Sequence, residues 1–283
     1  MSGGAIDYLC GLFTPESIQA NFLEGEERER FESVGRVEGL RGYSPGEFVA
    51  HLDTIGVDKV LIPSILTWSY HEQHPVEHAT VQEVVDAVSQ YPDRLFGLYG
   101  VNCRLRMKGV AELESAVRDH GFRGIHIHPH GFGFPPNHQY YFPFYAKCQE
   151  LGVPVVISMG HTLDFMPIEN GRPIHMDDVA LYFTELSIVI AHTGWPWVNE
   201  AIALASKHPN VYLGTSGYAP KYWQPEMVRF LDSRRGRDKT LWGTDFPLVK
   251  HDEGLRQIDE LGLREESKRK LLTENAARVF GFA

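Results

Sequence analysis

Cysteine is scarce: Cys10, Cys103 and Cys148 are the only three in 283 residues, scattered and odd in number. They make neither a disulfide framework nor a Cys-x-x-Cys metal clip, so a reducing cytoplasm is the expected compartment. No apolar run approaches the ~20 residues that span a bilayer. Met1-Ser-Gly-Gly-Ala5 has no basic and apolar leader pattern and runs straight into a strand-like segment. Nor does a Gly-x-Gly-x-x-Gly loop occur, which argues against a dinucleotide-binding fold. Basic charge is also in deficit. The net charge of −10 argues against non-specific binding to nucleic acid or an anionic membrane. Much of the surplus acid lies in Glu24-Gly-Glu-Glu-Arg-Glu-Arg30 and in the C-terminal helices, and reads as solvated surface.

What the chain does have is 43% hydrophobic residues, enough for a large core, arranged as short β-rich runs alternating with stretches of helical period. Eight strands are expected, at Ala5–Cys10, Lys59–Pro63, Leu95–Val101, Gly124–His128, Val153–Ser158, Ser187–His192, Val211–Thr215 and Thr240–Asp245. Helical stretches such as Glu77–Gln90, Gly109–Asp119, Pro143–Glu150 and Trp197–Lys207 fall between them, and several end in glycine suited to a left-handed C-cap. Eight βα units in 283 residues, with no repeat or linker, predict one α/β domain over residues 1–283, a closed (β/α)8 TIM barrel. Two long segments after strand ends, residues 13–40 and 129–141, should cover the barrel mouth, with Phe13, Phe132, Phe134, Tyr140 and Tyr141 as candidate pocket walls.

Active sites in this architecture sit at the C-terminal ends of the strands. Thr240-Leu-Trp-Gly-Thr-Asp-Phe-Pro-Leu248 stops there at Asp245, and Leu186-Ser-Ile-Val-Ile-Ala-His-Thr-Gly-Trp-Pro196 at His192. Histidine is the one compositional excess. There are fourteen, five of them between His126 and His161, and period-two alternation puts Gly124, His126 and His128 on one face of the fourth strand. Asp245, His192 and His128 are therefore the candidate catalytic group. By the same alternation Tyr8 and Cys10 should face the helices. Asp7 reads as a buried acid satisfied by backbone amides, His208-Pro-Asn as a helix exit, His51 and His251 as surface, and His130 and His138 as loop residues.

Several motifs together are similar to those of the amidohydrolase-2 (amidohydrolase-related) family: Gly121-Phe-Arg-Gly-Ile-His-Ile-His-Pro129, Arg172-Pro-Ile-His-Met-Asp-Asp-Val179, Ile190-Ala-His-Thr-Gly-Trp-Pro-Trp197, His208-Pro-Asn-Val-Tyr-Leu-Gly-Thr-Ser216, Leu241-Trp-Gly-Thr-Asp-Phe-Pro247 and Asn275-Ala-Ala-Arg-Val-Phe280. The resemblance covers nearly the whole chain. It implies a (β/α)8 barrel of hydrolases and of decarboxylases akin to aminocarboxymuconate semialdehyde decarboxylase, usually with one divalent metal. That metal would be held by a His-x-His pair on strand one, a histidine on strand five and an aspartate on strand eight, beside a strand-six histidine. Asp245 and His192 match the last two. The strand-one pair is replaced by Leu9 and Gly11 in Ile6-Asp-Tyr-Leu-Cys-Gly11, and the strand-five ligand by Ser158 in Ser158-Met-Gly-His161.

A catalytic zinc takes about three protein ligands, so the expectation is an enzyme working without the family's metal and without any other cofactor. Asp245 would be the general base, His192 and His128 oxyanion-stabilising or proton-shuttling groups, and His126, Ser158, His161, Thr215 and Trp195 substrate-binding walls. Without a Lewis acid such a site suits an activated small carbonyl substrate, a lactone or a thioester-linked diketone, cleaved by hydrolysis. Three alternatives stand beside it. A relocated zinc or manganese site could use His128, His192, Asp245 and His161. Decarboxylation of a small unsaturated or aromatic acid could use Arg104, Arg106 and Lys108 as a carboxylate clamp. A barrel without catalysis could bind a small molecule or protein partner. The resemblance also implies a homodimer, for which Trp195 or Trp197 could serve the interface; no nucleic acid or membrane partner is expected.

Overall fold

The computed structural model describes residues 3–24, 28–33, 37–71 and 73–282. Part of the acidic run and part of the 13–40 insertion, residues 25–27 and 34–36, lie outside the described residues. Eight parallel strands form one sheet in chain order: β1 (Ala5–Asp7), β2 (Val57–Pro63), β5 (Leu95–Gly100), β6 (Ile125–Ile127), β7 (Val155–Ile157), β8 (Ile188–Ile190), β9 (Val211–Gly214) and β10 (Thr240–Leu241). All eight expected strands are present, most of them shorter at the C-terminal end than expected. The residues beyond leave the ladder to build the mouth. Between β2 and β5 an antiparallel hairpin, β3 (Ile65–Trp68) with β4 (Pro75–Ala79), takes up the start of the helix expected at 77–90, which is confined to Val81–Val88. Thr80 explains the late start: its side chain accepts from the Glu83 amide while Glu83 returns a bond to the Thr80 amide, a capping box that nucleates the helix there.

Alternation divides the strand side chains into two layers. Ile125, Ile127, Val155, Ile157, Ile188 and Ile190 pack outward against the helices. Ile6, Leu61, Leu98, Val156, Val189 and Leu241 pack with one another inside the barrel, with Phe280 beneath them. Tyr8 belongs to that inner cluster, not to the helix side. It shares the face of Ile6 two residues earlier, and it is Leu9, also inward, that breaks the alternation, because β1 ends at Asp7. Cys10 does pack with the outer cluster.

β1 meets the last strand through backbone bonds beyond the ladder: Tyr8 N donates to Trp242 O (3.2 Å), Asp245 N to Leu9 O (2.7 Å) and Gly11 N to Phe246 O (3.0 Å). Asp7 knots this seam. Its carboxylate, fully buried, accepts from Leu9 N and Thr244 N (3.0 Å each) and from the Thr244 hydroxyl. His251, expected on the surface, is 1% exposed instead, with Nε2 2.9 Å from Asp7 Oδ2 but out of line for a hydrogen bond. It opens a helix (His251–Glu260) that packs on the seam, which no local pattern announced. Replacing Asp7 strands two amides and a hydroxyl in a dry interior, where a broken buried network costs about 3–5 kcal/mol. Asp7→Ala should lower the denaturation free energy by that amount in a urea titration, and a loss under about 1 kcal/mol would show that the seam does not depend on it.

Candidate active site

The barrel mouth opens into a cavity of about 620 Å³. Its floor is made by strand ends and its walls by the inserted segments. Phe22 and Phe31 of the 13–40 segment line it, as do Thr67 and His78 of the hairpin, which the sequence pattern did not reveal. Of the aromatics proposed as walls, Phe13 instead stacks on Phe48 (ring centroids 3.8 Å apart) and Phe134 on His138 (4.4 Å). Phe132 and Tyr141 are buried in the outer core, and none of these, nor Tyr140, lines the cavity.

His126, His128, Ser158, His161, His192, Trp195 and Asp245 all line the cavity, so seven of the eight candidate residues meet at one place. Thr215 does not. It is fully buried, and its hydroxyl donates to Leu241 O (3.3 Å), which ties β9 to β10 behind the floor. His130, read as a loop residue, is buried on a short helix (Pro129–Phe132) and faces the cavity with Nε2 2.8 Å from Gly160 O. Arg104 stacks on the Phe134 ring, Arg106 and Lys108 project from the outer surface, and among the described residues no lysine or arginine lines the cavity. The expected carboxylate clamp is therefore not there.

Neither candidate at the heart of the floor sits on regular strand. Asp245 lies four residues past β10 with φ of 54°, and His192 two residues past β8 with φ of 57°, followed by Thr193 at 56°. Non-glycine residues rarely adopt this left-handed region, at a cost of about 1–3 kcal/mol each, and they persist where surrounding structure over-determines them. Here the surroundings are explicit. Asp245 N is pinned to Leu9 O, and the His192 ring is held on both sides: Nε2 is 3.0 Å from Ser158 Oγ, while Nδ1 is 3.1 Å from Ser216 Oγ and 3.3 Å from Ser216 O. Tyr8 OH reaches Ser216 Oγ at 2.5 Å, so a residue the sequence placed among the helices supports the site from below. His192 Nδ1 and Asp245 Oδ2 are 3.8 Å apart. His126 Nε2 meets the same Ser158 hydroxyl at 2.9 Å.

Burial sets the charge state. It holds His126 down to about 3 and His130 to about 4, and it holds His128 well below the ordinary histidine value. These three imidazoles are neutral at neutral pH. His128 Nδ1 accepts from Gly131 N (3.1 Å), which leaves its proton on Nε2, 3.8 Å from Asp164 Oδ2. Burial likewise raises the Asp245 carboxyl above its ordinary range, partly offset by His192.

An amidohydrolase family model matches residues 60–282 of the chain. The chain belongs to that family. Its fold is similar to that of an uncharacterized TIM-barrel protein from Bordetella bronchiseptica (TM-score 0.79, 21% identity, 98% of each chain covered). Equally full coverage joins it to 5-carboxyvanillate decarboxylase from Novosphingobium aromaticivorans, complexed with manganese and a nitrobenzoic acid (TM-score 0.72, 19% identity, 98% of this chain and 96% of that one). A probable 2-pyrone-4,6-dicarboxylic acid hydrolase from Acinetobacter baumannii with citric acid bound also matches (TM-score 0.63, 17% identity, 99% and 100%).

The expectation of an enzyme with no metal or other cofactor is thereby corrected. A barrel of this architecture carries manganese, and this chain itself brings Asp7, Cys10 and His251 together with potential ligand atoms within 4.8 Å of one another. That is the one such group of three or more among the described residues, so the relocated cluster of His128, His161, His192 and Asp245 does not assemble. Sequence spacing missed the group because its members come from β1 and from a helix 244 residues later. Its chemistry is nonetheless that of a packed polar core, since both Asp7 oxygens are already engaged by Leu9, Thr244 and His251.

At the mouth, His192 and Asp245 are the two donors facing each other, and their neighbours on β1 add none. Leu9 is apolar. Gly11 could not carry a side chain: a Cβ there would stand 2.3 Å from Phe246 O, across the seam. This donor set does not fit an ion caged by protein alone.

Two outcomes follow. Leu9→His supplies a third donor at a position that already faces the cavity, so it should tighten manganese or zinc binding by about tenfold or more in calorimetric titration, with Leu9→Phe as the inert control. Secondly, an unfolded chain takes up protons on its histidines near pH 6.5, whereas the folded chain withholds them from His126 and His130 until about 3 and 4. Stability should therefore fall as pH drops through that window, by about 1.4 kcal/mol per pH unit for each proton taken up on unfolding. Urea midpoints between pH 7 and pH 4.5 check this, and a flat profile would mean the three imidazoles are not neutral.

Proposed function

We propose that the chain is a hydrolase of small, uncharged, activated carbonyl compounds, lactones and reactive esters foremost, with Asp245 and His192 as its paired base. The observation that carries this reading is the composition of the cavity floor: one carboxylate and one imidazole 3.8 Å apart, ringed by neutral histidines. A neutral imidazole N–H, such as His128 Nε2, can donate to a carbonyl oxygen as charge builds on it. An imidazole beside a carboxylate draws a proton from the nucleophile, and the carboxylate steadies the imidazolium. Leu9, Leu12, Phe22 and Trp195 supply apolar walls, and His161 stands edge-on to the Trp195 ring at 5.3 Å. The pyrone hydrolase match is consistent with a cyclic ester as substrate.

Decarboxylation of an aromatic acid is the second reading. The similar 5-carboxyvanillate decarboxylase and the aromatic lining favour it. The absence of a lysine or arginine from the described cavity walls weighs against it, because a substrate carboxylate would meet the Asp245 charge with no protein cation to offset it.

A substrate panel separates them. Ring-opening of γ- and δ-lactones or release of nitrophenol from short esters is expected, with no CO₂ from hydroxybenzoates; the reverse pattern would replace hydrolase by decarboxylase. Asp245→Asn should lower kcat about 10²-fold or more at unchanged circular dichroism. The acid limb of kcat/KM should lie above the ordinary carboxylate value of about 4, since burial raises Asp245 and the base works only when ionised.

A further inference from the structure

Three groups on the cavity floor stand in the order hydroxyl, imidazole, carboxylate. Ser158 Oγ is 3.0 Å from His192 Nε2, and His192 Nδ1 faces Asp245 Oδ2 at 3.8 Å. The tautomer follows from the partners. Ser216 O, 3.3 Å from Nδ1, can only accept, so the ring proton sits on Nδ1 and Nε2 offers its lone pair. Ser158 then donates its hydroxyl proton to His192, and His126 Nε2, 2.9 Å away, donates to Ser158. The serine's lone pairs are thereby oriented by one imidazole and its proton is claimed by another. Ser158 follows β7 directly and lines the cavity. A hydroxyl needed only for packing would not require two imidazoles, one of them, His126, buried.

We propose that Ser158 is a nucleophile and that hydrolysis proceeds through an acyl-serine. The proposal rests on the hydrolase reading above and names its covalent step. Ser158 Oγ bonds to the substrate carbonyl carbon as its proton passes to His192 Nε2, and the carbonyl π pair moves onto oxygen. That pair returns as the bond to the leaving oxygen breaks, and the leaving oxygen takes the proton from Nε2. Water then adds to the acyl carbon, giving a proton to Nε2. The carbon–Oγ bond breaks, and Oγ recovers that proton. Asp245 stays ionised throughout and balances the imidazolium. It is the positioning and charge-balancing member of the set, while Ser158 and His192 touch the reacting atoms. The net reaction consumes one water and no oxidant or reductant. Esters and lactones are the substrates whose leaving oxygens suit it.

The test is covalent trapping on the full chain with diisopropyl fluorophosphate, read by intact mass and peptide mapping. The expected result is a single adduct on Ser158, esterase loss in step with labelling, no adduct in Ser158→Ala, and labelling roughly 100-fold slower in His192→Ala. Should Ser158→Ala fold poorly, Ser158→Cys serves in its place. It should be alkylated by iodoacetamide at that position, since Ser158 lines the cavity and Cys10, Cys103 and Cys148 are buried away from it. Turnover of esters that persists in Ser158→Ala, with no adduct on the wild type, would overturn the nucleophile and leave the hydrolase reading standing with water attacking directly. An adduct on Ser158 without turnover of any ester or lactone would sustain the activated serine and sink the hydrolase reading. No adduct and no turnover would overturn both.

Discussion

The seam between the first and last strands is the constraint on which the rest of this structure depends. Asp7 binds the amides of Leu9 and Thr244 and the Thr244 hydroxyl, Leu9 O holds the Asp245 amide, and Phe246 O holds the Gly11 amide. Those bonds pull two chain segments so close that Gly11 has room for hydrogen alone and Asp245 is held in a left-handed conformation. One set of contacts therefore closes the barrel, aims the mouth's carboxylate and removes a position from which a metal ligand could project. Structure and chemistry share the same few residues.

The second organising feature is the use of neutral imidazole. Burial suppresses protonation of His126, His128 and His130, so the floor of the cavity offers hydrogen-bond donors and lone pairs without net positive charge. A neutral wall of this kind favours uncharged substrates and leaves Asp245 and Asp164 as the cavity's acids. Among the described residues this density of histidine does not gather His128, His161, His192 and Asp245 into one ligand cluster. Each ring is committed elsewhere: His126 and His192 to Ser158, His128 to Gly131 and His130 to Gly160.

How the chain departs from its family's ligand pattern now has a physical shape. At two positions where the resemblance implied metal ligands, Leu9 stands as apolar wall and Ser158 as a hydroxyl between two imidazoles. Substitutions that read in sequence only as losses rebuild the floor around a different hydrogen-bonded row, from His126 through Ser158 and His192 to Ser216 and Tyr8. His192 in that row, Thr193 next to it and Asp245 facing it all hold the strained left-handed conformation.

The order of strands and helices, the barrel class and the two residues at its mouth were legible in sequence. They depend on local signals: the two-residue and 3.6-residue periods, glycine caps such as Gly121 and Gly152, and short motifs at strand ends. What sequence could not decide lies where distant segments meet. Tyr8 stands inward on the face of Ile6, and Leu9 joins it there because β1 stops at Asp7. His251 is buried because its helix packs on the seam, and Thr215 retires behind the floor because its hydroxyl finds Leu241 O. A side chain's face is set by period only while the strand lasts; beyond its end, only tertiary hydrogen bonds decide where the side chain points. Every catalytic candidate in this protein lies on or beyond such an end. The sequence therefore determined which residues come to the mouth, and tertiary structure alone decided which of them touch.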